Sequence, residues 1–215
     1  MSRVFIAIVI GTLMCGMLGC GGGSGGGGSS TFTVQDSATR FTAKVTTVAV
    51  GNKVQFLNVG SEPVQIVSGT LIPQGNSSIV HNIVIGTTGF SPSVLSANLG
   101  DTIQFSNNRG STFVLDIVND NGTLISTVTL FTGQQQTFDF PGAGIFIFQE
   151  HNNSLFRGSI TLFGKPNPNG VFQTPVLNNG GTFLLQFNSV GSIDFYDLNQ
   201  NNPNQSFKTG TINVQ

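Results

Sequence analysis

Beyond residue 20 the chain has neither cysteine nor methionine: Cys15, Cys20, Met1, Met14 and Met17 are all that it contains. The body that follows offers no thiol and no thioether, which excludes thiolate nucleophiles and sulfur-ligated metals from it. Histidine is nearly absent too, with only His81 and His151. Charged residues make up 8% of the chain, against about 25% in ordinary soluble domains. The formal net charge is -1, with no basic cluster. That balance argues against nucleic acid as a partner and against electrostatic docking on anionic lipid.

Catalysis is equally short of material. General acid–base or nucleophilic chemistry needs paired titratable groups, or a hydroxyl with a base and a group orienting that base. Nine acids and two histidines are joined here by no such motif. Asp194 and Asp197 lie three apart, a spacing that puts them on opposite faces of a strand. No Gly-rich run links a strand to a helix as a phosphate loop requires. The expectation is a protein that is not an enzyme.

What is present begins with an export signal. Arg3 precedes the apolar stretch VFIAIVIGTLM, which reaches MLGC directly before a glycine tract. This is the layout of a secretory signal ending at a lipidated cysteine, with residues 1–20 as signal and Cys20 as the acylated first residue of the mature chain. An ordinary cleaved signal peptide and an uncleaved anchor are the alternatives, although Val4 to Gly19 is shorter than the ~20 residues of a spanning helix. Residues 21–30, GGGSGGGGSS, form a flexible linker with a reach of roughly 17 to 19 Å. The expected localisation is the cell envelope, facing periplasm or exterior, with the membrane engaged through the N-terminal lipid.

From Thr31 onward the pattern is all β. Short apolar segments of period 2, such as KVQFLN, DTIQFSN, TFVLDIV, GIFIFQ and GTINV, alternate with Gly, Asn, Pro and Asp clusters, as in a sandwich or barrel. Phenylalanines such as Phe138, Phe140, Phe146 and Phe148 alternate as core residues should. Four Asn-x-Ser/Thr sequons begin at Asn76, Asn121, Asn152 and Asn204. They matter only in a host that glycosylates such sites.

Two internal repeats organise the body. FTAKVTTVAVGNKVQFLN from Phe41 lies over FSPSVLSANLGDTIQFSN from Phe90, matching Asn58 with Asn107. The segment from Leu130 lies over that from Leu177, matching Gly133 with Gly181, Phe148 with Phe195 and Gly158 with Gly210. The halves therefore run first, first, second, second. A half sandwich buries too little to offset chain entropy. Nesting solves this: residues 81–164 form one domain inserted into a loop of an outer domain made of residues 31–80 plus 165–215. The loop-like junctions PQGNSS and GKPNPNG suit insertion. A swapped or side-by-side arrangement of the same halves is the alternative.

The repeated residues resemble the cupredoxin family. GFSPSVLSANLGDTIQFSNN is the most similar stretch, and GGTF with SFKTGTINV completes the outer copy. The resemblance implies two Greek-key β-sandwiches and, by family default, type 1 copper and electron transfer. It also implies where ligands would fall. The first histidine lands on Val64 in the outer copy and on Ser111 or Phe113 in the inner one. The cysteine lands near Asp197 and Glu150, the second histidine near Asn201 or Asn202 and near Asn153, and the axial methionine near Phe207 and Phe156. A blue copper site needs a thiolate and two imidazoles, and these positions hold none.

No cofactor is therefore expected, and copper belongs only to an alternative reading, a copper-binding or electron-transfer protein with a non-standard site. Glu150 and His151, with Asp116, are the weak metal candidates. The leading expectation is a non-catalytic binding or structural protein whose partner is an unknown envelope protein or surface ligand. The candidate recognition loops run from Gly60 to Val64, Asn108 to Ser111, Glu150 to Phe156 and Asn199 to Phe207, with Val64, Ser111, Phe156 and Phe207 as their marked residues.

Overall fold

The computed structural model describes residues 30–75, 79–198 and 207–215. Cys20, the linker as far as residue 29, and the sequon residues Asn76 and Asn204 lie outside the described residues, as do residues 199–206 with Asn201 and Asn202. The described residues contain seventeen strands and no helix. In chain order the first eight are β1 (Thr31–Asp36), β2 (Val45–Val48), β3 (Lys53–Asn58), β4 (Ile66–Ile72), β5 (Val80–Ile85), β6 (Phe90–Ser91), β7 (Val94–Asn98) and β8 (Thr102–Asn107). The rest are β9 (Phe113–Asn119), β10 (Leu124–Leu130), β11 (Gln135–Phe138), β12 (Gly144–Glu150), β13 (Asn153–Phe163), β14 (Lys165–Gln173), β15 (Thr182–Gln186), β16 (Gly191–Asp197) and β17 (Thr209–Val214).

Pairing divides these strands into two sets. A five-stranded sheet of order β10-β9-β12-β13-β7 and a four-stranded sheet of order β11-β8-β5-β6 use only strands between Val80 and Phe163. A five-stranded sheet of order β14-β4-β16-β17-β2 and a three-stranded sheet of order β1-β3-β15 use only the flanking segments. The two sets are counterparts except for the two-residue β6, which has no equivalent strand in the flanks. The parallel ladders β1–β3 and β17–β2 of the flanks recur as β5–β8 and β13–β7.

Each set closes on its own core, as apolar faces of two sheets must. One core packs Ile83, Ile103 and Phe105 from the smaller sheet against Phe113, Leu115, Phe148 and Ile160 from the larger. The other packs Val34, Val54 and Phe56 against Ile66, Phe195, Ile212 and Val214. Strand alternation delivers these side chains. In β3 and β17 every second residue is buried, the period that a half-covered sheet dictates.

Two expectations change here. GKPNPNG is not a loop: β14 pairs antiparallel with β4, with a register shift between Pro168 and Gln173. It is an edge strand, where proline's missing donor costs no ladder bond and a bulge absorbs the turn. The pairing of Val80 with Thr102 also places Val80 in the inner ladder rather than the outer one.

Candidate functional site

One asparagine in each set holds the junction where first and second halves meet. Asn107 Nδ2 donates to the carbonyls of Ser111 (2.9 Å) and Leu130 (2.8 Å), while its Oδ1 accepts from the Arg109 amide (2.9 Å). Asn58 Nδ2 donates to the carbonyls of Glu62 (2.8 Å) and Leu177 (2.8 Å), and its Oδ1 accepts from the Gly60 amide (2.8 Å). Both side chains are buried, so the pattern satisfies groups that water cannot reach. Gly133 and Gly180, with φ of 76° and 75°, then return their amides to the carbonyls of Asn107 and Asn58. The counterpart of Gly133 is thus Gly180 rather than Gly181, because only that register keeps Leu130 over Leu177.

A second register is fixed by cross-strand pairs. Phe148 pairs with Gly158 and Phe195 with Gly210. Two positions before each glycine stand Phe156 and Lys208. Lys208, not Phe207, is therefore the counterpart of Phe156, and Phe207 instead packs edge-on against Phe163 at 5.6 Å.

These registers make Asp36, Asp197 and Lys208 the counterparts of Ile85, Glu150 and Phe156. In the inner set Glu150 accepts a hydrogen bond from Arg109 Nη1 at 2.8 Å. The Arg109 guanidinium lies 5.3 Å from the Phe113 ring and 5.2 Å from the Phe156 ring, and Phe156 meets Phe90 at 4.9 Å. Aromatic faces attract a cation that is partly stripped of water. His151 turns away from Glu150: its Nδ1 lies 2.9 Å from Asp116 Oδ2, and Thr127 donates to the other Asp116 oxygen at 2.6 Å. Glu150 and His151 thus serve different partners, and no group of three His, Cys, Asp or Glu residues converges among the described residues.

In the outer set the equivalent end is filled by charge. Lys208 Nζ lies 2.5 Å from Asp36 Oδ1 and 2.5 Å from Asp197 Oδ2, and donates to the Ser37 carbonyl at 3.1 Å. Asp36 is 0% exposed, Asp197 5% and Lys208 8%. Burial, reinforced by the nearby Asp197 charge, pushes the Asp36 carboxyl from 3.8 up to about 7 despite the Lys208 ammonium. Burial raises Asp197 as well, again against Lys208. Desolvation wins because a carboxylate loses more hydration than one shared cation returns.

Sequence reasoning reached Asp197 but missed Asp36 and Lys208. The signal was present in TFTVQD, where Val34 and Asp36 share the buried face of β1. The marked loop residues fare differently from one another. Val64 is no surface residue: its bridge to Leu177 draws it into the core at 5% exposure. Ser111 is exposed and uses its carbonyl on Asn107. Phe156 borders an open groove of about 680 Å³ shared with Phe90, Thr88, Asn153 and Leu155, and Leu155 stands 92% exposed on its rim.

The donor set does not suit the copper that the resemblance implies. The ligand positions present Val64, Asp197 and Lys208 at one end and Ser111, Glu150 and Phe156 at the other, without thiol, imidazole or thioether. Asp197, Lys208 and Glu150 among them already have protein partners.

No protein-family model and no curated protein matches the chain. Solved structures do. A novel purple cupredoxin from Nitrosopumilus maritimus is 20% identical, covers 38% of this chain and 97% of its own, and superposes with a TM-score of 0.34. The reduced state of an amicyanin mutant is 14% identical and covers 45% of this chain and 98% of its own, with a TM-score of 0.35. The oxidised state of another amicyanin mutant is 17% identical and covers 47% and 99%, also at 0.35. In fold, the chain is an all-β sandwich protein similar to cupredoxins.

Proposed function

We propose that this is an exported protein, anchored to a membrane through a lipid on Cys20, that acts without copper or catalysis as a binding or structural component of the cell envelope. The observation that carries this reading is the filling of both sandwich ends: Lys208 between two aspartates in one, Arg109 and Glu150 over an aromatic cluster in the other. Neither arrangement leaves a lone pair set that could hold a type 1 metal. The signal-like segment and linker support the anchoring, and the groove beside Phe156, with Leu155 on its rim, supports contact with an envelope protein or surface ligand.

The same reading takes residues 81–164 as a domain inserted into an outer domain of residues 31–80 and 165–215. The closed set of ladders between Val80 and Phe163 supports it, with the inner unit beginning one residue earlier.

Metal analysis of the purified protein after copper loading and desalting tests the central claim. Less than a tenth of an equivalent of copper is expected, and stoichiometric retention would overturn it. Mass spectrometry of the membrane-extracted N-terminus tests the anchor: an acylated Cys20 is expected, and an unmodified terminus downstream of it removes the lipid from the reading.

A further inference from the structure

The inner sandwich shows that two of the three positions held by Asp36, Asp197 and Lys208 need no buried charge. Counting from the shared registers, Asp36 is replaced there by Ile85, and Lys208 by Phe156. The outer sandwich instead sequesters an amine between two carboxyls. An amine and two carboxyls held out of water are costly unless they do something that an apolar core cannot. We propose that Lys208 Nζ condenses with the Asp36 side-chain carboxyl to form an intramolecular amide, with Asp197 carrying the proton.

The geometry supplies what the step needs. The amine and the Asp36 carboxyl are held at 2.5 Å within the core, where two groups so placed have an effective molarity of about 10⁵–10⁸ M. In a dry site the ion pair can pass its proton from nitrogen to oxygen and become neutral amine and neutral acid, the pair that reacts. Asp36 is the group whose acid form survives to near neutrality. Its second oxygen, Oδ2, is buried with no hydrogen-bond partner among the described residues, and suits the departing hydroxyl.

The balance is simple. The Lys208 nitrogen lone pair forms a bond to Asp36 Cγ. Asp197 Oδ2, on the other side of the amine at 2.5 Å, takes a proton from nitrogen and returns it to the hydroxyl. The C–O bond breaks, one water leaves, and nothing is oxidised or reduced. The product ties β1, in the three-stranded sheet, to the segment entering β17, in the five-stranded sheet. It spans both sheets and nearly the whole body.

Mass spectrometry of the full purified chain, denatured and referred to its own sequenced N-terminus, tests this. The mass is expected to fall short of the unlinked chain by one water, about 18 Da. Trypsin should then leave Lys208 uncut and release one branched peptide containing both Asp36 and Lys208. A folded chain of full mass overturns the proposal, as does a water loss mapped to any other residues. Lys208→Arg keeps the charge and should restore the full mass; should it not fold, the wild-type mass alone decides. Asp197→Asn should slow amide formation on refolding by at least about 100-fold, and linkage at the wild-type rate would overturn the proton-carrying role.

Discussion

Gly158 lies opposite Phe148, and the Phe148 ring fills the space in which a side chain would start: a Cβ on Gly158 would lie 2.3 Å from it and 2.4 Å from the Ser93 carbonyl. Gly210 repeats the arrangement, 2.3 Å from the Phe195 ring. An aromatic laid over a cross-strand glycine is a way to keep packing where the strand lacks a side chain. Gly158→Ala and Gly210→Ala should each cost about 1–3 kcal/mol by urea denaturation. Gly158→Ala should be the worse of the two, since part of its clash is with backbone that cannot rotate away.

Asn107→Ala and Asn58→Ala should each cost about 1–3 kcal/mol, because each leaves two carbonyls without their buried donor. The two asparagines end strands that feed separate cores, so the double variant should equal the sum of the singles to within about 0.5 kcal/mol. Coupling well above that, measured by the same denaturation, would mean that the two sets do not unfold as separate structural units.

A chain limited to residues 80–163 should fold and unfold cooperatively in water, since it retains two sheets and every ladder of its own. Circular dichroism and amide exchange would check this. A disordered spectrum would contradict the nested arrangement and favour a body in which the halves depend on one another.

Lys208→Met removes the amine and its two lowering influences on Asp36, so the carboxyl pKa should lie above the value of about 7 held in its presence. The folded state then keeps a proton that the unfolded chain releases near 3.8. Such a group contributes stability that is complete below the unfolded pKa and is lost as pH rises through the folded one. The urea midpoint of Lys208→Met should therefore fall between about pH 4 and pH 8, whereas the wild-type chain, with Asp36 linked, should show no decline from this residue. A flat profile in the variant would contradict the burial of Asp36.

Much of this fold was legible because alternation and repetition are local properties. KVQFLN is β3, and GIFIFQ lies within β12. The repeat also singled out Asn58 and Asn107 before any bond of theirs was visible. Three things were hidden. β14 carries two prolines and reads as a linker, since nothing local says that its neighbour offers an edge. Val64 follows three exposed residues in sequence, and its bridge to Leu177, far along the chain, draws it into the core. The Asp36–Lys208–Asp197 cluster joins the first strand to the last hairpin, and an aspartate on an apolar face is easily read as a strand end. Assigning Phe207 to the position of Phe156 failed by one residue, because more residues separate β16 from β17 than β12 from β13 and only strand pairing fixes where the match resumes.

The hydrogen bond from Asn58 to the carbonyl of Leu177 spans 119 positions of the chain, whereas its twin from Asn107 to Leu130 spans 23. The same clamp therefore closes at very different moments. As the chain emerges, the inner sandwich has all its strands once Phe163 is available, while β1 to β4 must wait, incomplete, for β14 to β17. Long-range closure is the slower event, and unpaired strands left waiting invite wrong partners. The early strands of this protein are its exposed interval. A finished sandwich between them pairs Val80 with Thr102 and Phe163 with Asn98, the two sides of one turn, and so shortens the distance their partners must search.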